Sequence, residues 1–177
     1  PEGRHQGGGG GGAAGERERA ALLRRGVDLA IGLQKAVVDQ AVSMMDKGEI
    51  VRLKHFRYAY IHSSTADARG NPFAQPLALG RLAQFLVEAH RANGKWAGAR
   101  ARPLVVLAER RSTYLAVGVP CPERAGDVLK NKFGMAFRLA AESIQARIKH
   151  DGFESSVMEV DRDNVQRFIE SLHYTMG

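Results

Sequence analysis

Arginine and an indole crowd one short stretch of this chain. Between Lys95 and Arg111, the cations Lys95, Arg100, Arg102, Arg110 and Arg111 are met by a single acid, Glu109, and Trp96 stands among them. A guanidinium pairs with phosphate oxygens and an indole stacks on a base, so this pattern predicts contact with a polyanion. Arg110-Arg111-Ser112 reads as the turn between two strands, holding two positive charges at a hairpin tip. Lys130 and Lys132 fall near the expected N-terminus of a later helix, where the helix dipole does not favour cations, and so read as further anion contacts.

Catalytic chemistry has fewer footholds. Cys121 lies between Pro120 and Pro122, ahead of a helix expected from Asp127, and a helix N-terminus lowers a thiol pKa. Glu159, Asp161 and Asp163 alternate toward the end of a strand, a spacing that suits magnesium, but helix capping explains the aspartates with less. No His-Glu-x-x-His, Gly-x-Ser-x-Gly or Gly-Lys-Ser/Thr phosphate loop is present. The expectation is therefore a protein that is not an enzyme, with no catalytic residues, no metal site and no cofactor.

These residues need a frame to position them, and the chain offers one that repeats. Tyr58-Ala59-Tyr60-Ile61 opens a strand, Arg81-Leu82-Ala83 lies in a helix closed by Asn93-Gly94, and Leu104 to Leu107 is a second strand. Tyr114 to Val117, Arg138-Leu139-Ala140, Asp151-Gly152 and Ser156-Val157-Met158 run through the same order. The tyrosines are 56 positions apart and the Arg-Leu-Ala triplets 57 apart. Spacing of this kind predicts two βαβ quasi-repeats, about 52–109 and 112–160, in an α+β domain over 49–177. The expected fold is a ferredoxin-like split βαβ (βαββαβ): a four-stranded antiparallel sheet with two helices on one face. Strand alternation puts Phe56, Tyr58 and Tyr60 beneath those helices, leaving His55 and Arg57 on a basic open face. The second-repeat helix is expected from about Asp127 to His150, and a short helix follows the last strand.

Ahead of this domain, apolar residues from Leu23 to Met45 recur at three-and-four spacing, predicting a long helix over 16–48 that stops at Gly48. Thirty residues of helix outrun a small domain, so 23–45 reads as a seam for a second copy. The glycine run from Gly7 to Gly12 makes 1–15 an expected disordered tail. The polar stretch His62 to Asn71 reads as a loop that ends in a helix cap and offers amides to an anion.

The whole chain is basic, with 26 Lys and Arg against 19 Asp and Glu, a net charge of +7 and a pI near 9.9. Such a balance points to a polyanionic partner. One cysteine fits a reducing compartment, cytoplasm or organelle matrix, and no apolar run approaches a membrane span. The strand Thr113 to Val119 lacks the early glycine and second aromatic of an RNA-recognition motif. The expected function is non-enzymatic nucleic-acid binding, RNA before DNA, through Arg57, Lys95, Trp96, Arg100, Arg102, Arg110, Arg111, Lys130 and Lys132. The alternative is an oligomeric protein-interaction or ligand-sensing module with no nucleic-acid role.

Overall fold

The computed structural model describes residues 11–62, 71–124, 126–152 and 154–177. The chain divides into two units, Pro1–Ala36 and Val37–Gly177. The described residues of the first are helical, within α1 (Gly11–Asp46). Residues 11–15 lie within this helix; residues 1–10, the greater part of the expected tail, lie outside the described residues. Leu22, Leu23, Val27, Leu29 and Ile31 are exposed on this part of α1, whereas Val37, Ala41 and Met44, in the second unit, are buried. The helix stops where expected: Gly48 adopts φ +66, and the Glu49 amide donates back to Met44 O at 3.1 Å. A left-handed residue just past the last turn is the conformation glycine adopts without strain.

The second unit is a mixed α+β fold built on one six-stranded sheet. Its strands are β1 (Val51–Arg52), β2 (Arg57–Ile61), β3 (Leu104–Glu109), β4 (Thr113–Val119), β5 (Ile148–His150) and β6 (Val157–Asp161), in the order β1-β2-β3-β4-β6-β5. Helices α2 (Pro76–Ala92), α3 (Phe133–Ser143) and α4 (Val165–Thr175) complete it. The β2–β3 pair is parallel and every other pair is antiparallel. This corrects the four-stranded ferredoxin-like expectation in two respects. β3 lies directly beside β2 with no strand between them, so the βαβ unit is not split. β6 runs antiparallel to β4, so the second quasi-repeat is not a βαβ unit at all.

The second repeat fails for a local reason. α3 ends at Ser143 rather than near His150, Gln145 takes φ 53, and the chain re-enters the sheet as the edge strand β5 before turning into β6. One additional strand reverses the direction of the next. The helix also starts later than expected, at Phe133, whose amide donates to Asn131 Oδ1 at 3.0 Å while Asn131 Nδ2 donates to Gly118 O at 3.0 Å. Asn71 caps as predicted, accepting from the Phe73 amide at 2.9 Å, but the capped element is the 3₁₀ turn Pro72–Ala74; α2 begins only at Pro76. Residues 63–70 of the preceding loop lie outside the described residues.

Both faces of the sheet are covered. Leu104 to Ala108 are buried without interruption, as in a strand packed on two sides. On one face Val105, Leu107, Tyr114, Ala116, Met158 and Val160 join Phe133, Phe137, Phe168 and Leu172 of α3 and α4 in a single core, against which Tyr58 and Tyr60 pack. On the other face α2 lies over β3 and β4, burying Leu79, Leu82, Ala83 and Leu86. The aromatics of β2 thus lie beneath helices, as the alternation suggested. Arg57, expected to stand on an open basic face, is instead buried, only 5% exposed.

Candidate functional site

Arg57 sits at the centre of a buried cluster. Its Nη2 donates to Arg100 O at 2.7 Å and its Nη1 to Arg102 O at 3.2 Å, while the guanidinium lies 4.4 Å from the centre of the Trp96 ring. His90 stacks on Trp96 with ring centres 4.1 Å apart and planes 11° from parallel. The Cys121 thiol donates to Trp96 O at 3.7 Å. Trp96 is therefore an anchor pinning the connection between α2 and β3 to the core, and its faces are not free to take a base. That burial corrects the assignment of Arg57 and Trp96 to a nucleic-acid surface.

The neighbouring arginines do similar work. Arg102 donates from Nε to Lys54 O at 3.0 Å and from Nη1 to Ala99 O and Ala101 O at 3.0 and 2.8 Å. Arg100, although exposed, donates to Gly94 O at 2.8 Å. A forked cation with five donors suits a connection whose carbonyls have no ladder to join. The hairpin tip carries ion pairs as well. Arg110 pairs with Glu159 and donates from Nε to Ala74 O at 2.9 Å. Arg162 pairs with Glu109 at 2.7 Å and donates to Arg110 O at 2.8 Å. Glu159 of β6 and Glu109 of β3 thus offset two of the three arginines at this tip, and Arg111 stays exposed. Replacing Arg100, Arg102, Arg110 and Arg111 together would thus dismantle loop anchors as well as remove charge. Among the nine predicted contacts, Lys95, Arg100, Arg111, Lys130 and Lys132 are exposed.

The other chemical footholds close. Burial raises the Cys121 thiol pKa, outweighing the opposing influence of the Arg102 backbone and the Arg57 and Arg91 cations. The expected helix over 127–132 that would have activated it is irregular chain. Glu159 is engaged by Arg110, and among the described residues no group of three His, Cys, Asp or Glu side chains converges as metal ligands. Tyr60 is pushed up to about 12, first by burial and then by Tyr58 and Tyr114, so Tyr60 stays neutral.

His90 makes a pH prediction. Burial foremost, then the Lys95 and Arg57 cations, hold its imidazole below its ordinary value, and neither ring nitrogen has a protein partner. The unfolded chain takes up a proton near pH ~6.5 that the folded chain resists. Stability from this group is therefore complete above that value and is lost as pH falls toward the lowered folded pKa. Urea midpoints at pH 7.5 and 5.5 should fall more for wild type than for His90→Phe; an equal fall in both would show that His90 is not responsible.

The second unit is thus a mixed sheet between helices in which Arg57, Arg102 and Arg110 are engaged by its own backbone and the aromatics of β2 are packed beneath helices rather than displayed. The chain belongs to the CDC45 family, whose model matches residues 13–175. It is 36% identical over 157 residues to the cell division control protein 45 homolog of Dictyostelium discoideum, covering 88% of this chain and 23% of that protein. Against cell division control protein 45 of Saccharomyces cerevisiae the identity is 29%, covering 87% of this chain and 24% of that protein. The crystal structure of CDC45 from Entamoeba histolytica matches in fold, with a TM-score of 0.61 and 24% identity, over 82% of this chain and 28% of that one. The chain spans about a quarter of the length of these relatives.

Family membership overturns the functional expectation. The RNA-binding reading, the RNA-first partner and the alternative of an oligomeric or ligand-sensing module with no nucleic-acid role all give way. The match spans residues 13–175 and includes none of the short motifs sought in the sequence.

Proposed function

We propose that this chain is a segment of a DNA replication factor of the CDC45 family, working in the replicative helicase assembly with partner proteins and DNA. The observation that carries the reading is the family match over residues 13–175. Such a factor acts inside the cell, at chromosomal DNA; among the described residues no helix is long and apolar enough to cross a membrane. Within that role the exposed heads of Lys95, Arg100 and Arg111 would meet an anionic surface of the assembly. Their energetic weight is modest, since exposed charges are screened by salt.

Rapid depletion of the protein in its own organism tests the role. Incorporation of a thymidine analogue should stall as cells enter S phase, before labelling of new RNA with a uridine analogue declines. DNA synthesis continuing at its normal rate after depletion would overturn the proposal.

A further inference from the structure

The second unit carries a groove that the arginine anchors do not touch. It has a volume of about 970 Å³ and lies between α3, the chain leading into it, the loop after β5 and the end of α4. Met135 and Leu139, one helical turn apart on α3, line it and are 64% and 44% exposed. Val128 and Leu129, on the chain leading into α3, are exposed as well. Its charged lining is mainly cationic, from Lys130, Lys132 and Arg138, with His150 alongside. The acids at this end are turned to local use: Asp151 Oδ1 accepts from the Glu154 amide at 3.0 Å, and Glu154 Oε1 accepts from the Ser156 hydroxyl at 2.6 Å. Arg138 has Glu142 at 3.8 Å, both well exposed, a pair that water weakens. Gly134 lets the wall close up, since a Cβ there would lie 2.6 Å from Ser155 Oγ.

From this combination we infer that the groove docks an acidic segment of a partner protein that carries apolar anchors at helical spacing. Apolar side chains this exposed at the foot of a cationic rim gain most from a ligand that covers them and pairs the charges at once. Methionine, flexible and polarizable, suits such a contact. A nucleic-acid strand fits less well: its phosphates would satisfy the lysines, but among the described residues no Phe, Tyr or Trp lines the groove to stack on its bases. The inference stands apart from the replication role, because it concerns binding by this chain alone.

The test uses the full chain and a fluorescein-labelled synthetic peptide, rich in Asp and Glu, with leucines repeated every third and fourth residue. Fluorescence polarization should show saturable binding, weakened at least about ten-fold by Met135→Asp and by the double change Lys130→Glu, Lys132→Glu, in keeping with loss of a hot-spot anchor. All three positions are exposed, so melting temperatures should hold. Leu139→Ser provides a milder second apolar variant should Met135→Asp fold poorly. A peptide with serine in place of leucine should bind at least ten-fold more weakly. Absence of saturable binding to wild type, or equal binding of the serine peptide, overturns the proposal. So does a labelled oligodeoxythymidylate that depends on Met135 and both lysines while the leucine peptide does not, because the face would then belong to nucleic acid.

Discussion

Arg57→Ala should destabilise the protein by about 2–4 kcal/mol, from the loss of two guanidinium hydrogen bonds, the cation–π contact with Trp96 and the packing of a buried side chain. No carboxylate balances this guanidinium in the contacts described; two backbone carbonyls hold it, and burial lowers its pKa. Removing it leaves Arg100 O and Arg102 O to whatever water can reach them and strips one face of Trp96. Arg57→Lys should recover only part of the loss, because a single ammonium cannot fork to both carbonyls while lying on the ring. Urea unfolding followed by Trp96 fluorescence, the only tryptophan in the chain, reports both the midpoint and the loosening of the indole. Arg111→Ala, at an exposed position, should change stability by less than ~0.5 kcal/mol. Equal effects at the two positions would refute the anchoring role of Arg57.

Gly118→Ala should cost a similar amount by the opposite route, overfilling the core. A Cβ at Gly118 would lie 2.7 Å from Phe133 Cβ and closer still to its ring, and Phe133 is 2% exposed, with little room to retreat. Overpacking of this kind costs about 1–3 kcal/mol. For a chain of this size that corresponds to a melting temperature lower by roughly 3–10 °C, readable by calorimetry. Gly118→Val should exceed the alanine change. The smaller Phe133→Leu, made together with Gly118→Ala, should recover part of the loss if the clash is the cause; no recovery would place the cost elsewhere in β4.

How much of this was legible in the residues depends on which physical signal each element carries. β3, β4 and β6 stood out as apolar β-branched runs, and the stops at Gly48 and Gly94 as glycines that both adopt φ +66. β5 did not, because Ile144 and Ile148 keep helical phase across a break made by Gln145, a residue type that rarely takes positive φ. The two-sided cover of the sheet is written in the unbroken Leu104-Val105-Val106-Leu107-Ala108 run, whereas the alternation of β2 mimics a sheet open on one side. Arginine was the hardest to read. Composition shows a cation; whether its donors meet phosphate or carbonyls 43 and 45 residues further along is decided only when β2 and β3 pair. Family membership was carried by none of the motifs that chemistry singles out; it rests on 36% identity over 157 residues.

The ends of the sheet set how this protein behaves when crowded. β1 has two residues and β5 three, and each carries a cation, Arg52 and Lys149. An unpaired strand edge is a template for a foreign strand, and length and flatness make it dangerous. Here the strands richest in valine and leucine are shielded from the rim, and what remains there is too short and too charged to recruit neighbours. A chain so arranged is protected from amyloid-like growth while folded. Its vulnerable moment is during synthesis or refolding, before β1 and β5 have closed over their inner neighbours.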